Sequence, residues 1–177
     1  MKATGVVRRI DELGRIVIPK EIRKNLRLRE GENIEIYVDK EENIILKKYS
    51  IVKKLGDFAQ DFADSIYAFL KHNVIITDND TIIAASGDLK KEYLGKPISE
   101  SLVFSIKRRE NILEKHNKNI KIIDNDELNG TYVINSIIVN GDVVGLVIIL
   151  SLNDNISEVE ERVAGIASQF LAKYIEE

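Results

Sequence analysis

The spacing of apolar residues changes near residue 50, and that break limits what the chain can fold into. Before it, apolar residues come in short β-branched runs cut by turns. Residues 5–10 form a candidate strand that stops at Asp11-Glu12-Leu13-Gly14, and Arg15-Ile16-Val17-Ile18 forms a second, stopped by Pro19. Proline suits the first turn of a helix, because its missing N–H would have no partner there. Residues 20–26 are therefore expected to be helical, with Ile22 and Leu26 on one face and Arg23 and Lys24 pointing away. Residues 32–38 alternate in polarity, 39–43 make a polar turn, and 44–49 return as a strand. After the break, Ile51, Leu55, Phe58, Phe62 and Ile66 step by four, three, four and four. That is helical spacing with a heptad-like seam.

The first fifty residues have too little apolar surface for a core of their own. Ordering a residue's backbone costs about 1–2 kcal/mol, and segments this small are marginal alone. The chain has no cysteine, so no disulfide or thiolate metal site can staple the unit. A second copy is the expected remedy, which makes the head an obligate dimer.

Charge separates the same two parts. Residues 1–29 hold nine basic side chains against three acidic ones, a net of +6; the whole chain carries −3, so the remainder carries −9. A basic head on an acidic body points to a polyanion held by the head. Arg8, Arg15 and Arg23 stand out, with Arg9, Lys24, Lys20 and Lys2 nearby. Arginine offers a planar fork of donors that fits phosphate and the guanine edge. Gly14-Arg15 sits at a hairpin tip, which projects the side chain.

Beyond the break the pattern reads α-β-β-α-β-β-β-α. Residues 73–77 and 81–86 flank an Asx-rich turn. A helix over 98–109 is expected, capped by Ser99 or Ser101, and a short strand over 120–123. Residues 132–139 and 142–150 flank Asn140-Gly141, a pair that favours a two-residue turn with positive φ at both positions. The run 143–150 barely alternates, so it is expected to be covered on both faces. A helix over 158–174 closes the chain. This is an α+β layout in which the first and last helices pack side by side on an antiparallel sheet. The expected division is 1–50, a linker at 51–56 that runs into a helix, and 57–177.

Catalytic chemistry is not expected. His72 and His116 lie in polar stretches, His72 at a helix end, where a cation is favourable. Asp124-Asn125-Asp126-Glu127 resembles a calcium loop, but Leu128 and Asn129 fall where such a loop needs an oxygen ligand and a glycine. No glycine-rich phosphate loop occurs. No apolar run approaches the roughly 20 residues of a membrane helix, and no secretory leader is visible, so a cytoplasmic protein with no membrane partner is expected.

Residues Lys2-Ala3-Thr4-Gly5, 11–19 (Asp-Glu-Leu-Gly-Arg-Ile-Val-Ile-Pro) and Glu35-Ile36-Tyr37-Val38 resemble the swapped-hairpin DNA-binding domain of the AbrB transition-state regulators. By length and element order the body is similar to a GAF domain. The resemblance implies interleaved hairpins from two chains. It also implies transcription control, as activator or repressor, in the forespore of sporulating bacteria. A·T-rich duplex would be read through its shape. The family's DNA-contacting arginines match Arg8, Arg15 and Arg23; a fourth falls on Lys24, which keeps the charge but loses the fork. GAF domains elsewhere bind small molecules or mediate dimerisation. No cofactor is expected here beyond an unidentified small-molecule ligand of the body. If the body helices form a four-helix bundle between chains, heads and bodies pair with different partners and give a homotetramer. The alternative is an antitoxin-like protein that binds DNA and a toxin, because related heads serve in such modules. Their C-terminal segments are disordered wrapping tails, whereas residues 57–177 are patterned like a packed domain.

Overall fold

The structure, a computed structural model, describes residues 5–50 and 52–176. The chain divides into two compact units between Tyr49 and Ser50.

In the head, α1 (Lys20–Asn25) follows Pro19, which stands at the N-cap. Strands β1 (Ile34–Val38) and β2 (Ile44–Lys48) pair as an antiparallel hairpin. Glu32 secures its base: it accepts from the Arg29 N–H at 2.7 Å and pairs with Lys48 at 2.8 Å. Residues 5–10 and 15–18, expected as strands, join no sheet. A turn at 11–15 connects them, but a ladder needs a neighbouring strand, and one copy of the chain supplies none. Among residues 5–50 no side chain is buried, and Val7, Leu13 and Val17 are 88%, 76% and 73% exposed.

The body is the expected α+β domain. A 3-10 turn (Val52–Leu55) leads into α2 (Gly56–Leu70), then β3 (Asn73–Asp78), β4 (Ile82–Ser86), α3 (Lys90–Tyr93), α4 (Glu100–Arg108), β5 (Ile112–Ile120), β6 (Leu128–Val139), β7 (Asp142–Ser151) and α5 (Glu158–Glu176). The five strands lie in the order β4-β3-β7-β6-β5, antiparallel throughout. Central β7 has Leu146, Val147, Ile148, Ile149 and Leu150 fully buried. Successive strand residues face opposite sides, so both faces of β7 are covered. Each such side chain contributes about 1.5–3 kcal/mol over exposure. Gly145 lets β3 and β7 close up, since a Cβ there would sit 2.0 Å from the Thr77 carbonyl oxygen. Helix α2 packs on β3 and β4, and α5 on β6 and β7. The two helices meet through Phe58 stacked on Tyr174 (4.5 Å between ring centres) and Phe62 against Phe170 (5.4 Å).

Some local details differ from expectation. The helix does not run unbroken from 51: α2 starts at Gly56, whose φ is +42°. Val52 and Leu55 are buried with the body's core, so the segment ahead of Gly56 is part of the body's packing. The strand expected at 120–123 lies instead at Ile112–Ile120, and α3 is additional. Of the two caps expected for α4, Ser99 is the one used, accepting from the Leu102 N–H at 3.2 Å.

Candidate nucleic-acid interface

A short turn at the head's exposed end carries Arg15. The Gly14 N–H donates to the Asp11 carbonyl at 2.9 Å, and the Asp11 N–H donates to the Arg15 carbonyl at 3.1 Å. Gly14 takes φ +76°, the left-handed conformation that closes a three-residue hairpin loop at no steric cost. The Asp11 carboxylate gathers the turn. Its Oδ1 accepts the Leu13 N–H at 2.9 Å and the Arg15 N–H at 2.8 Å, and its Oδ2 accepts Arg15 Nε at 2.7 Å. Hydrogen bonds from the Arg15 backbone and then its guanidinium hold the Asp11 carboxyl below the usual range. The Arg15 side chain is 71% exposed.

Arg8, Arg9, Arg23 and Lys24 are all exposed. None of these four forms an ion pair among the described residues; Arg8 donates only to the Val7 carbonyl, at 3.3 Å. Arg23 and Lys24 stand in the last turn of α1. Lys2 lies outside the described residues. Sequence reasoning missed Asp11 as the partner of Arg15. The signal was an aspartate four residues ahead of an arginine across a turn, a spacing that also occurs at Asp39 and Asn43.

The body's polar groups serve its own packing. Asp124 accepts the Glu100 N–H at 3.0 Å at the start of α4, and Asp126 accepts the Tyr93 hydroxyl. Burial first, then Asp126, raises the Tyr93 pKa. His72 lies beyond the end of α2 and 3.6 Å from Glu160 of α5. Among the described residues no group of acids and histidines is placed to hold a metal, and no helix is long and apolar enough to cross a membrane. An open hollow of about 260 Å³ beside β4, lined by Gly56, Thr81, Ile82, Ile83 and Gly95, has no ionisable side chain.

The body shares its fold with the cofactor binding GAF domain of the nutrient sensor CodY from Clostridium difficile. The TM-score is 0.52 at 13% identity, over 66% of this chain and 83% of that one. The head is 61% identical over 49 residues to the transition state regulatory protein AbrB of Bacillus subtilis (strain 168), 28% of this chain and 50% of AbrB. An AbrB-type head joined to a body matched by a transcription-factor family model makes this a DNA-binding transcription factor.

Residues 54–176 match the family model described as stage V sporulation protein T C-terminal, transcription factor. Residues 7–54 match that of antidote-toxin recognition MazE, bacterial antitoxin. Stage V sporulation protein T of Bacillus subtilis (strain 168) is 48% identical over 178 residues, covering 100% of both chains. The chain belongs to the stage V sporulation protein T family of sporulation transcription factors.

Proposed function

We propose that this regulator acts in the forespore as a tetramer. Two copies of the head interleave to grip A·T-rich duplex, and the bodies bring such pairs together. Arg8, Arg15 and Arg23 supply forked contacts, and Lys24, Arg9 and Lys2 supply phosphate charge. One observation carries the reading. The head buries no side chain by itself while its cations face outward, so a second copy must complete its sheet and thereby doubles its charge. The outward row Val159, Ile166, Phe170 and Tyr174 on α5 supports pairing through the body. The antitoxin alternative is disfavoured because residues beyond 50 build a packed domain, not a wrapping tail.

Fluorescence anisotropy with A·T-rich duplex tests this. Neutralising roughly six to eight phosphates gives a log–log salt slope of about −5 to −7. Arg15→Ala should cost about 1–3 kcal/mol of binding with its melting temperature unchanged. No binding in dilute buffer refutes the proposal. Footprinting in sporulating cells identifies the targets, and thermal-shift screening with nucleotides and amino acids tests the body for a small-molecule ligand.

A further inference from the structure

The head contains two turns of one backbone design that differ in what the aspartate's second oxygen holds. Each opens on an aspartate, and each has positive φ three residues later, +76° at Gly14 and +62° at Glu42. In the first, the Asp11 N–H donates to the Arg15 carbonyl at 3.1 Å; in the second, the Asp39 N–H donates to the Asn43 carbonyl at 3.1 Å. In each, the aspartate Oδ1 accepts two backbone N–H groups, Leu13 (2.9 Å) and Arg15 (2.8 Å) in one, Glu41 (2.9 Å) and Asn43 (2.9 Å) in the other. That oxygen builds the turn. The other oxygen does something different in each. Oδ2 of Asp39 accepts Asn43 Nδ2 at 3.0 Å, which ties the turn to itself. Oδ2 of Asp11 accepts Arg15 Nε at 2.7 Å, which grips a side chain 71% exposed to solvent.

We infer that Asp11 is a positioning and specificity residue. Its Oδ2 holds Arg15 by Nε so that the two terminal nitrogens stand as a preset fork for the nucleic acid. The inference rests on the proposed DNA contact of Arg15. Those terminal nitrogens have no partner among the described residues. A loose arginine gives up rotamer freedom on binding, and one already held gives up less. The carboxylate also opposes part of the arginine's charge, which weakens attachment to any phosphate that does not fit the fork. Discrimination against wrong partners by such an opposing element is common in selective interfaces.

Charge and positioning make opposite predictions for one substitution. Asp11→Asn keeps an oxygen for the turn and removes both the negative charge and the acceptor for Nε. Charge alone would raise affinity for every duplex. Positioning lowers affinity for A·T-rich duplex, so that the ratio over a G·C-rich duplex of equal length falls by about ten-fold. The measurement is anisotropy of the full chain on both duplexes. Asp39→Asn makes the same chemical change in the other turn, where no arginine is held, and should leave the ratio at the parent value. In an Arg15→Ala background, Asp11→Asn should have no further effect on the ratio, because the residue it acts through is gone. If Asp11→Asn melts early, Arg15→Lys replaces it: charge and turn remain, the fork is lost, and the ratio should fall in the same way. A retained ratio overturns the inference, as do losses that add in the double variant. If Arg15→Ala leaves binding unchanged, the DNA role of Arg15 falls, and this inference with it.

Discussion

Gln60 shows how much of this fold depends on single polar side chains. It lies on α2, and its amide does the work of a missing strand. Oε1 accepts the Ala85 N–H at 3.2 Å, and Nε2 donates to the Ala85 carbonyl at 2.9 Å. Ala85 is fully buried on β4, at the edge of the sheet, where no further strand offers these bonds. Nε2 also donates to Asp64 at 3.0 Å, and Asp64 in turn accepts from Ser86 and from Lys90 at 3.2 Å. Ser86 is the main cause of the lowered Asp64 pKa, against the opposing effect of burial. Truncation to Gln60→Ala leaves the backbone donor and acceptor of buried Ala85 without these partners. Each such group costs about 1–3 kcal/mol. The expected loss is about 2–4 kcal/mol in urea unfolding, with the slope unchanged. A midpoint equal to the parent's would mean that water reaches the β4 edge.

Elements differ in how plainly the sequence shows them. The β6–β7 hairpin was legible because Asn140 and Gly141 must both take positive φ, and they do, at +51° and +85°. The outer helices were legible because Phe58, Phe62, Phe170 and Tyr174 repeat at helical spacing and meet as the pattern requires. Strand β5 was hidden. Its middle, Lys115-His116-Asn117-Lys118, is exposed at the sheet's free edge, where lysines and an irregular register discourage pairing with another chain. No apolar alternation survives such a role. The 5–10 and 15–18 runs read as strands in the sequence but join no sheet here, because a strand exists only with a partner. Likewise the sequence displayed the cations of the head, but not which carboxylate oxygen holds Arg15. A measurement at this scale follows. Amide hydrogen exchange at residues 6–10 and 16–18 should slow as protein concentration carries the head from single to paired copies. Exchange that ignores concentration would refute pairing through these runs.

At the scale of the whole molecule, two separate surfaces call for a partner. The head leaves Val7, Val17 and Val38 outside at 88%, 73% and 70% exposure, and α5 leaves Ile166 at 67%. If each surface pairs with a different copy, one assembly carries two DNA grips. The second grip then binds at an effective concentration set by the linkage, which raises overall affinity by about 10²–10⁴ when both can engage. Ile166→Glu separates this gain from the grip itself. The charge points outward from α5 and disturbs no buried group, so the body should stay folded. Sedimentation should show the assembly halved to a dimer, with DNA affinity reduced toward that of a chain ended at Ser50 but not abolished. Such a dimer should keep the salt slope of one grip, because its arginines are untouched. If Ile166→Glu remains a tetramer, the bodies pair through another face. If the shortened chain binds DNA as tightly as the full one, linkage contributes nothing, and the acidic body must serve the regulator in another way.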